Sequence, residues 1–358
     1  MTHLGGPGDP DASTTRSRTA QGAQAPALNL PRIATWDAWG AVFTDVQVWA
    51  AAVRAIARRA ELPVHTIEPG YPGTNAVFVV NRRSAAPTAP PFVVKIYAPF
   101  CHEDYTIERE LHPLLTQYPA LPVPALLHHG VLAEAARWPY LVLTFLPGKP
   151  IREVRTQIPR PNRVEIARDL GQRIGVLHAI PTASLKALDA SPEAWRALAP
   201  TYLAQTLAHL RRETALPPHL VDALAGFAAP VLDRPGPTAG VLVSGDLTED
   251  HLLLRQDGPR WTLSGLIDFA DAVVAPRDYE WPALWFGALD RDPAGLQAFM
   301  AAYDPHQTLD QGFYHRAMAF TLLHEFGGLM IAQTLRRLGD PAIQTPQMLQ
   351  QHLWGGPA

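Results

Sequence analysis

The sequence predicts an α+β fold in which a lobe built on an antiparallel sheet precedes a mostly helical lobe. Short apolar runs separated by turn residues recur over residues 31–146, which is the pattern of strands joined by hairpins and short helices. Apolar residues at helical spacing dominate residues 147–358 instead. A chain of 358 residues is long enough to give each lobe a core of its own.

The first 30 residues differ in composition from both lobes. They contain no aromatic residue and are rich in Gly, Ala, Ser, Thr and Pro, so they cannot bury enough apolar surface to offset the entropy lost on ordering. We therefore predict a disordered tail over residues 1–30 and ordered structure from near Trp36. Asp45 is placed to cap the first long helix, in which apolar residues recur at helical spacing as far as Ala60.

Three strands are predicted next. Residues 65–67 and 76–80 flank the turn-forming segment 68–75, which is rich in Pro and Gly. The third strand, residues 91–97, carries Lys95 inside an apolar run. A charge that faces a core costs several kcal/mol unless it is paired, so the sequence predicts a partner for this lysine.

A helix and two further strands complete the sheet lobe. The helix is predicted over residues 104–117 and carries two glutamates, Glu108 and Glu110. The strands are predicted over residues 121–128 and 140–146, and a Pro-Gly pair ends the second of them.

The helical lobe begins with a predicted capping box. Asn162 stands three positions before Glu165, at the start of an apolar face of helical period. Two more helices are predicted near residues 193–212 and 218–231, and the pattern is helical again from Tyr279 onwards.

Two aspartates, 22 positions apart, each follow a short apolar run: Asp246 after residues 241–243 and Asp268 after residues 263–267. Carboxylates at the ends of neighbouring strands point into one cleft, where they repel each other unless a positive charge lies between them. Mg²⁺ is bound by one or two carboxylates together with phosphate oxygens. With a glycine-containing hairpin and a strand lysine upstream, the pattern indicates phosphoryl transfer.

These residues also resemble a known family. Gly245-Asp246-Leu247 with His251, followed by Ile267-Asp268-Phe269, is similar to the paired motifs of the aminoglycoside phosphotransferases and related small-molecule kinases. The resemblance extends over about residues 36–330. It implies the protein-kinase-like bilobal fold of that family, with residues 141–148 as the hinge between the lobes.

The resemblance implies roles for the charged residues. Asp246 would orient the acceptor hydroxyl and take its proton, and Asp268 would bind Mg²⁺, or Mn²⁺, between the phosphates of ATP or GTP. Lys95 would contact those phosphates while a helix glutamate holds it. We choose Glu110 over Glu108 because Arg109-Glu110-Leu111 aligns with the family pattern. The alternative for Lys95 is a lysine that extends from an edge strand to solvent.

The resemblance also places the nucleotide against backbone groups. Gly70, Gly73 and Thr74 would cover the phosphates, although a plain hairpin turn explains this segment nearly as well. Backbone groups of Thr144 and Leu146 would meet the purine.

Two further aspartates have less direct roles. Asp278 is expected to tie a helix start to the catalytic loop. Asp271 is expected to face solvent, with a contact to substrate or to metal-bound water as the alternative.

Two residues depart from the family pattern. Ser244 stands where the family has a histidine that braces the catalytic loop, and His251 stands where an asparagine binds metal. Imidazole suits Zn²⁺ or Mn²⁺ better than Mg²⁺, so His251 is either a metal-site residue or a loop residue that hydrogen bonds, and Asp250 or Glu249 can replace it as a ligand. An active enzyme remains the expectation, with a nucleotide-binding pseudokinase or a metal-dependent hydrolase as alternatives.

The bulk composition limits the partners and the compartment. The net charge of −3 and pI near 6.5 give no indication of a nucleic-acid or anionic-membrane partner. No apolar run approaches the roughly 18 residues of a membrane span, and no secretory signal is visible. Cys101 is the single cysteine, which excludes an internal disulfide and fits a reducing compartment. We expect a cytoplasmic protein.

The acceptor is predicted only as a small molecule with a hydroxyl group. Aminoglycosides are polycations that call for a carboxylate-lined cleft, but the acidic residues of the C-terminal helices are scattered and interleaved with arginines. A sugar or an amino alcohol is equally open. The acidic residues considered are Asp290, Asp292, Asp304, Asp310 and Glu325.

Overall fold

The fold is that of a computed structural model, which describes residues 28, 30–71, 73–82, 89–132, 137–232 and 240–356. The predicted tail over residues 1–30 lies outside the described residues except for Leu28 and Leu30. Both of these leucines pack against the core of the N-terminal lobe.

The N-terminal lobe is a five-stranded antiparallel sheet with strand order β1-β2-β3-β5-β4. The predicted antiparallel lobe is therefore confirmed. Its helices and strands are α1 (Trp36–Gly40), α2 (Val46–Arg59), β1 (Thr66–Pro69), β2 (Ala76–Asn81), β3 (Phe92–Ile96), α3 (His102–Leu115), β4 (Leu126–Leu132) and β5 (Trp138–Thr144).

The core of this lobe lies between the sheet and the first two helices. Trp39 of α1, Trp49 of α2 and Trp138 of β5 are all buried, with ring centroids 5.0–5.7 Å apart. Asp45 caps α2 as predicted, because its Oδ1 accepts a hydrogen bond from Gln47 N at 2.8 Å. Such a cluster of large rings gives the small lobe a stable platform for the sheet.

Alternation along the strands divides the side chains of the sheet between two faces. In β2, Ala76, Phe78 and Val80 point into the core, while Val77 and Val79 are only partly buried and line a cavity on the opposite face. In β3, Val93 and Lys95 line the same cavity. The period of two therefore places one charged side chain at the end of an otherwise apolar ceiling.

The C-terminal lobe is mostly helical, which confirms the prediction, and the helices expected near 193–212 and 218–231 are α6 and α7. Two small antiparallel sheets, β6-β8-β9 and β7-β10, carry the loops beneath the cavity. The elements are β6 (Lys149–Pro150), α4 (Ile151–Val154), α5 (Arg160–His178), α6 (Pro192–Glu213), α7 (Pro218–Leu232), β7 (Val241–Val243), β8 (Leu252–Asp257), β9 (Arg260–Leu266), β10 (Val273–Ala275), α8 (Trp281–Ala283), α9 (Pro293–Tyr303), α10 (Gln311–Leu322), α11 (Gly327–Arg337) and α12 (Pro346–Trp354).

The predicted capping box of α5 is wrong. The helix begins at Arg160, directly after Pro159, so Asn162 lies inside its first turn. The Asn162 side chain is buried and binds the backbone of Trp261 twice: Oδ1 accepts from Trp261 N at 2.7 Å and Nδ2 donates to Trp261 O at 2.9 Å. The Asn162 amide, which local spacing had predicted as a helix cap, is thus hydrogen bonded to a strand that is distant in the sequence. No helix among the described residues is long and apolar enough to cross a bilayer.

Candidate active site

Two cavities meet at Asp268. The narrow cavity, about 120 Å³, lies between the sheet of the N-terminal lobe and the loops of the C-terminal lobe, and its walls are mainly apolar. The wide cavity, about 710 Å³, opens on the other side and contains many carboxylates. Gly73, Asp250, His251 and Asp268 line both. Asp246 lines the wide cavity only.

Lys95 lies at the end of the narrow cavity and is almost completely buried. Its Nζ lies 2.6 Å from Glu108 Oε2 and 2.9 Å from Asp268 Oδ1. Burial opposes the charge of the lysine, but the Asp268 and Glu108 carboxylates raise its pKa. The lysine therefore remains an ammonium group and links the sheet to the second aspartate motif.

The prediction that Glu110 holds this lysine is wrong, because Glu108 does so. Glu110 instead pairs with Arg109, 3.3 Å away, at the partly exposed surface of α3. Glu108 is buried and burial opposes its charge, but the Lys95 ammonium lowers its pKa. Its Oε1 also accepts a hydrogen bond from Phe269 N at 3.2 Å, so one carboxylate joins α3, β3 and the loop after Asp268.

The backbone turn before Asp246 depends on Gly245. This residue has φ 80°, a conformation that residues with a side chain rarely adopt, and a Cβ there would lie 2.0 Å from Asp271 O. The loop then tightens again, since Thr248 N donates to Asp246 O at 2.8 Å. The Asp246 side chain is 19% exposed and reaches the wide cavity.

His251 lies between the two aspartates. Its Nδ1 is 2.9 Å from Asp246 O and 3.2 Å from Asp246 Oδ2, while its Nε2 is 3.7 Å from Asp268 Oδ2. Burial alone would lower the pKa of His251, but the hydrogen bond to Asp246 and the charge of Asp268 raise it to about 10. In its protonated form the imidazole offsets the repulsion between the two carboxylates, and a divalent cation bound at Nε2 would take the place of that proton.

Ser244 does not brace the loop with its side chain; a buried glutamate binds its backbone instead. Ser244 N donates to Glu280 Oε2 at 2.9 Å, and His178 Nε2 lies 3.2 Å from the same oxygen. Asp278 was expected to tie this loop to a helix start; it contacts the first residue of α8 but not the loop. Its Oδ1 accepts from Trp281 Nε1 at 3.3 Å and lies 3.6 Å from Arg316 Nε.

The hairpin loop between β1 and β2 lies at the mouth of the narrow cavity. Gly70 packs so closely on Val77 that a Cβ would lie 2.6 Å from Val77 Cγ1, and Gly70 N donates to Val77 O at 2.7 Å. Gly73 has open space around it, and Thr74 lines the wide cavity rather than the narrow one. Tyr71 OH donates to Gly148 O at 3.3 Å, which connects the loop to the segment after β5.

The far end of the narrow cavity is the edge formed by Thr144, Phe145 and Leu146. Thr144 N already donates to Ala125 O at 2.9 Å, and Thr144 Oγ1 accepts from Ala125 N at 2.8 Å. A ligand at this edge therefore cannot use the Thr144 N–H. The backbone of Phe145 and Leu146 lies at the same edge.

The wide cavity holds a second set of carboxylates. Asp104, Asp271 and Glu325 line it, whereas the other four acidic residues considered on the C-terminal helices do not. Asp271 was expected to face solvent but is partly buried. Burial and the neighbouring Asp268 and Asp246 carboxylates raise its pKa to about 8.

The corner between α10 and α11 lines this cavity and packs on Tyr279, the neighbour of the Glu280 that binds Ser244. His324 is buried with its ring stacked on Tyr279 at 4.5 Å, and its Nδ1 accepts from Phe326 N at 3.1 Å. The next residue, Glu325, is in the wide cavity, and its N donates to Tyr279 OH at 3.2 Å.

Comparison with known proteins decides the family. A model described as the phosphotransferase enzyme family matches residues 73–320, a range that contains Lys95, Asp246 and Asp268. The chain belongs to this family. No curated protein sequence matches it.

Solved phosphotransferase structures share the fold at low identity. The GDP and kanamycin complex of APH(2")-IIIa is 17% identical, with a TM-score of 0.60, over 85% of this chain and 96% of that one. The streptomycin–ATP complex of APH(2")-IIa is 16% identical, with a TM-score of 0.51, over 76% of this chain and 88% of that one. A protein from Haemophilus somnus 129PT provisionally assigned as a fructosamine-3-kinase is 14% identical, with a TM-score of 0.53, over 85% and 97%. The predicted protein-kinase-like bilobal fold is thereby confirmed.

Nucleotide phosphotransferases work with a divalent cation, and the donor atoms of this site fit one. Among the described residues, no group of three or more His, Cys, Asp and Glu side chains is arranged to hold a metal ion by itself. The oxygens of Asp268 suit Mg²⁺, and the Nε2 of His251 suits Mn²⁺ better. Such a set fits a cation that is bound mainly through phosphate oxygens.

Sequence reasoning missed several residues of this phosphotransferase site. Glu280 binds the loop that carries Asp246, His324 stacks on the neighbouring Tyr279, and Tyr71 bridges the hairpin loop to the segment after β5. Only Glu108 carried a signal that could have identified it, namely its place on the buried face of α3.

Proposed function

We propose that this protein is a small-molecule kinase that moves the terminal phosphate of ATP or GTP to a hydroxyl group bound in the wide cavity. The observation that carries the proposal is the continuous set of contacts from Lys95 to Asp268, His251 and Asp246, at the junction of the two cavities. Phosphoryl transfer needs a cation, a metal-binding carboxylate and a carboxylate beside the acceptor in this order.

The narrow cavity is the proposed nucleotide site. Its walls include Val77, Val79, Val93 and Leu143, which suit the faces of a purine, and Lys95 stands at the end where phosphates would lie. Gly70 and Gly73 of the hairpin loop line the same cavity. The similar solved structures contain GDP or ATP, which supports a nucleotide here without selecting one of them.

Asp246 is the proposed catalytic carboxylate. It is exposed to the wide cavity, and its backbone carbonyl and side chain both contact His251, so its orientation is constrained before substrate arrives. A carboxylate held in this way orients an acceptor hydroxyl and accepts its proton as the oxygen attacks. Asp268 and His251 would hold the divalent cation, which neutralises the charge on the phosphate oxygens when bound.

The alternative is a pseudokinase that binds nucleotide without transfer, a reading motivated by Ser244 and His251. The bond from Ser244 N to Glu280 argues against it, because the loop is braced although the histidine of the family pattern is absent. His251 also retains contact with both aspartates.

The test is Asp246→Asn, assayed for nucleotide consumption against a panel of aminoglycosides, sugars and amino alcohols, with Mg²⁺ and with Mn²⁺. We expect kcat to fall by about 10²-fold or more while the nucleotide Kd stays within twofold. Asp257→Asn, at the exposed end of β8, is the matched control and should leave both unchanged. Equal turnover in Asp246→Asn would remove the catalytic assignment. Nucleotide binding by the wild-type protein without transfer to any acceptor would favour the pseudokinase.

A further inference from the structure

The wide cavity has an apolar wall that its catalytic role does not require. Six large hydrophobic side chains are exposed among the described residues, and three of them, Trp36, Phe100 and Leu329, line this one cavity. Trp36 is 56% exposed, which is exceptional for the most costly side chain to leave in water. Exposed apolar groups that gather in one concave site indicate a ligand surface.

Both lobes contribute to this wall. Trp36 of α1 and Phe100, just before α3, form an edge-to-face pair with ring centroids 4.7 Å apart. From the C-terminal lobe, Phe326, Leu329 and Met330 line the cavity around the start of α11. An apolar body of aromatic size could therefore contact both lobes while a hydroxyl group lies near Asp246.

The same cavity contains three acidic residues that have no ion-pair partner among the described residues. Several of its acidic residues are already paired: Arg152 with Glu249 and Asp250, and Lys95 with Asp268. Asp104, Asp271 and Glu325 are different, because no Lys, Arg or His nitrogen of the described chain forms an ion pair with them.

A buried amide adds an unused acceptor. Asn75 is 3% exposed and lines the cavity, and its Oδ1 has no hydrogen-bond partner. A buried acceptor without a donor is unfavourable. The acidic residues without a cation favour a ligand that brings N–H groups and positive charge, and a rotation of the Asn75 amide would offer its Oδ1 to the same ligand.

We propose that the acceptor is an amphiphilic amino alcohol: a compound with a protonated amine, a hydroxyl group and one apolar body of aromatic size. This inference rests on the proposed kinase function. The amine is matched to Asp104, Asp271 and Glu325, and the apolar body to the Trp36–Phe100 pair. A polyhydroxylated polycation would form ion pairs with the carboxylates, but its polar groups would lie against the apolar wall.

The test uses a matched set of probes with the protein saturated with Mg²⁺ and a non-hydrolysable ATP analogue. Propranolol carries the amine, the hydroxyl and a naphthyl ring. 3-(1-Naphthyloxy)propane-1,2-diol lacks the amine, 1-(isopropylamino)propan-2-ol lacks the ring, and kanamycin is the hydrophilic polycation. By calorimetry we expect propranolol to bind at least tenfold more tightly than any of the other three. Kanamycin or the diol binding as tightly as propranolol would overturn the inference.

Variants localise the binding. Trp36→Ala should weaken propranolol at least fivefold and leave 1-(isopropylamino)propan-2-ol unaffected, whereas Glu325→Gln should weaken both amines and leave the diol unaffected. Leu338→Ala, an exposed leucine outside the cavity, is the control for loss of surface apolar area. If Trp36→Ala and Glu325→Gln bind propranolol like the wild type, the cavity is not its site and the inference is wrong. A dimer in sedimentation that Trp36→Ala dissociates would also overturn it, because the wall would then be covered by a second copy.

The kinase function and the ligand class can be rejected independently of each other. The expected binding pattern without ATP consumption for any compound would retain the ligand class while removing the kinase function. ATP consumption with kanamycin or sugars, and none with propranolol, would retain the kinase and reject the ligand class.

Discussion

The two cavities that meet at Asp268 are built in opposite ways. The narrow cavity has one continuous ceiling, made by neighbouring strands of a single sheet, and one buried ammonium group at its end. The wide cavity is assembled from segments scattered from Trp36 to Arg337, and carboxylates and exposed apolar groups alternate around it. On the proposed assignment the nucleotide would therefore meet a regular surface, and the acceptor would meet one assembled from loops and helices, where chemistry varies most easily.

The largest effect should come from the pair that closes the narrow cavity. Glu108→Gln leaves Lys95 buried with only Asp268, and loss of one member of a buried pair costs roughly 3 kcal/mol or more. We expect the free energy of unfolding in urea to fall by that amount and nucleotide affinity to fall with it. Glu110→Gln, two residues away and partly exposed, is the matched control and should change stability by less than about 0.5 kcal/mol. A larger loss of unfolding free energy in Glu110→Gln than in Glu108→Gln would identify Glu110 as the partner of Lys95.

A smaller effect, dependent on pH, is expected beside the wide cavity. Burial lowers the pKa of His324 to about 4, although Asp246 and the Gly245 backbone act in the opposite direction. Between pH 6.5 and pH 4 the unfolded chain binds a proton that the folded protein does not, so stability falls as the pH falls through this window. The loss from pH 7 to pH 4 amounts to about 3 kcal/mol for this group at most.

The measurement is urea unfolding at several pH values for the wild type and His324→Gln. The variant should lose less stability than the wild type over pH 7 to pH 4, because glutamine does not titrate. Parallel pH profiles for the two proteins would show that folding does not lower the pKa of His324.

The smallest effect belongs to the rim of the wide cavity. Arg152 pairs with Glu249 and Asp250, but its side chain is 60% exposed. Exposed ion pairs contribute about 0–1 kcal/mol, so Arg152→Gln should shift the unfolding free energy by less than about 1 kcal/mol, and less still in 1 M salt. Asn162→Ala is the contrasting variant. It removes two buried hydrogen bonds to the Trp261 backbone, so it should lower the unfolding free energy by more than Arg152→Gln does. A loss above 2 kcal/mol in Arg152→Gln would mean that this rim is structurally rigid.

The strand-built part of the molecule was predictable because local pattern and tertiary position coincide there. The alternation in β2 and β3 identifies which side chains face the core. Lys95 is conspicuous because a charged residue interrupts an apolar run there. The paired Asp246 and Asp268 motifs were found for the same reason: each follows a short apolar strand. The wide cavity has no such regularity, so neither the Trp36–Phe100 pair nor the role of Glu280 could be read from spacing.

The choice between Glu108 and Glu110 shows where a better reading was possible. At about 100° per residue, Glu108 falls on the same face of α3 as Tyr105, Leu111 and Leu115, which are buried. Glu110 falls about 200° away from Glu108. Helical periodicity alone would have selected the glutamate that faces the sheet, whereas alignment to a motif selected its neighbour.

Asp268 adopts φ 61°, in a region that residues with a side chain seldom occupy. Substitutions that remove this carboxylate therefore differ in their effect on backbone strain. Alanine adds a backbone penalty of about 1 kcal/mol at this φ, asparagine tolerates it, and glycine relieves it. The glycine variant is accordingly the one in which the loss of the carboxylate is least mixed with backbone strain.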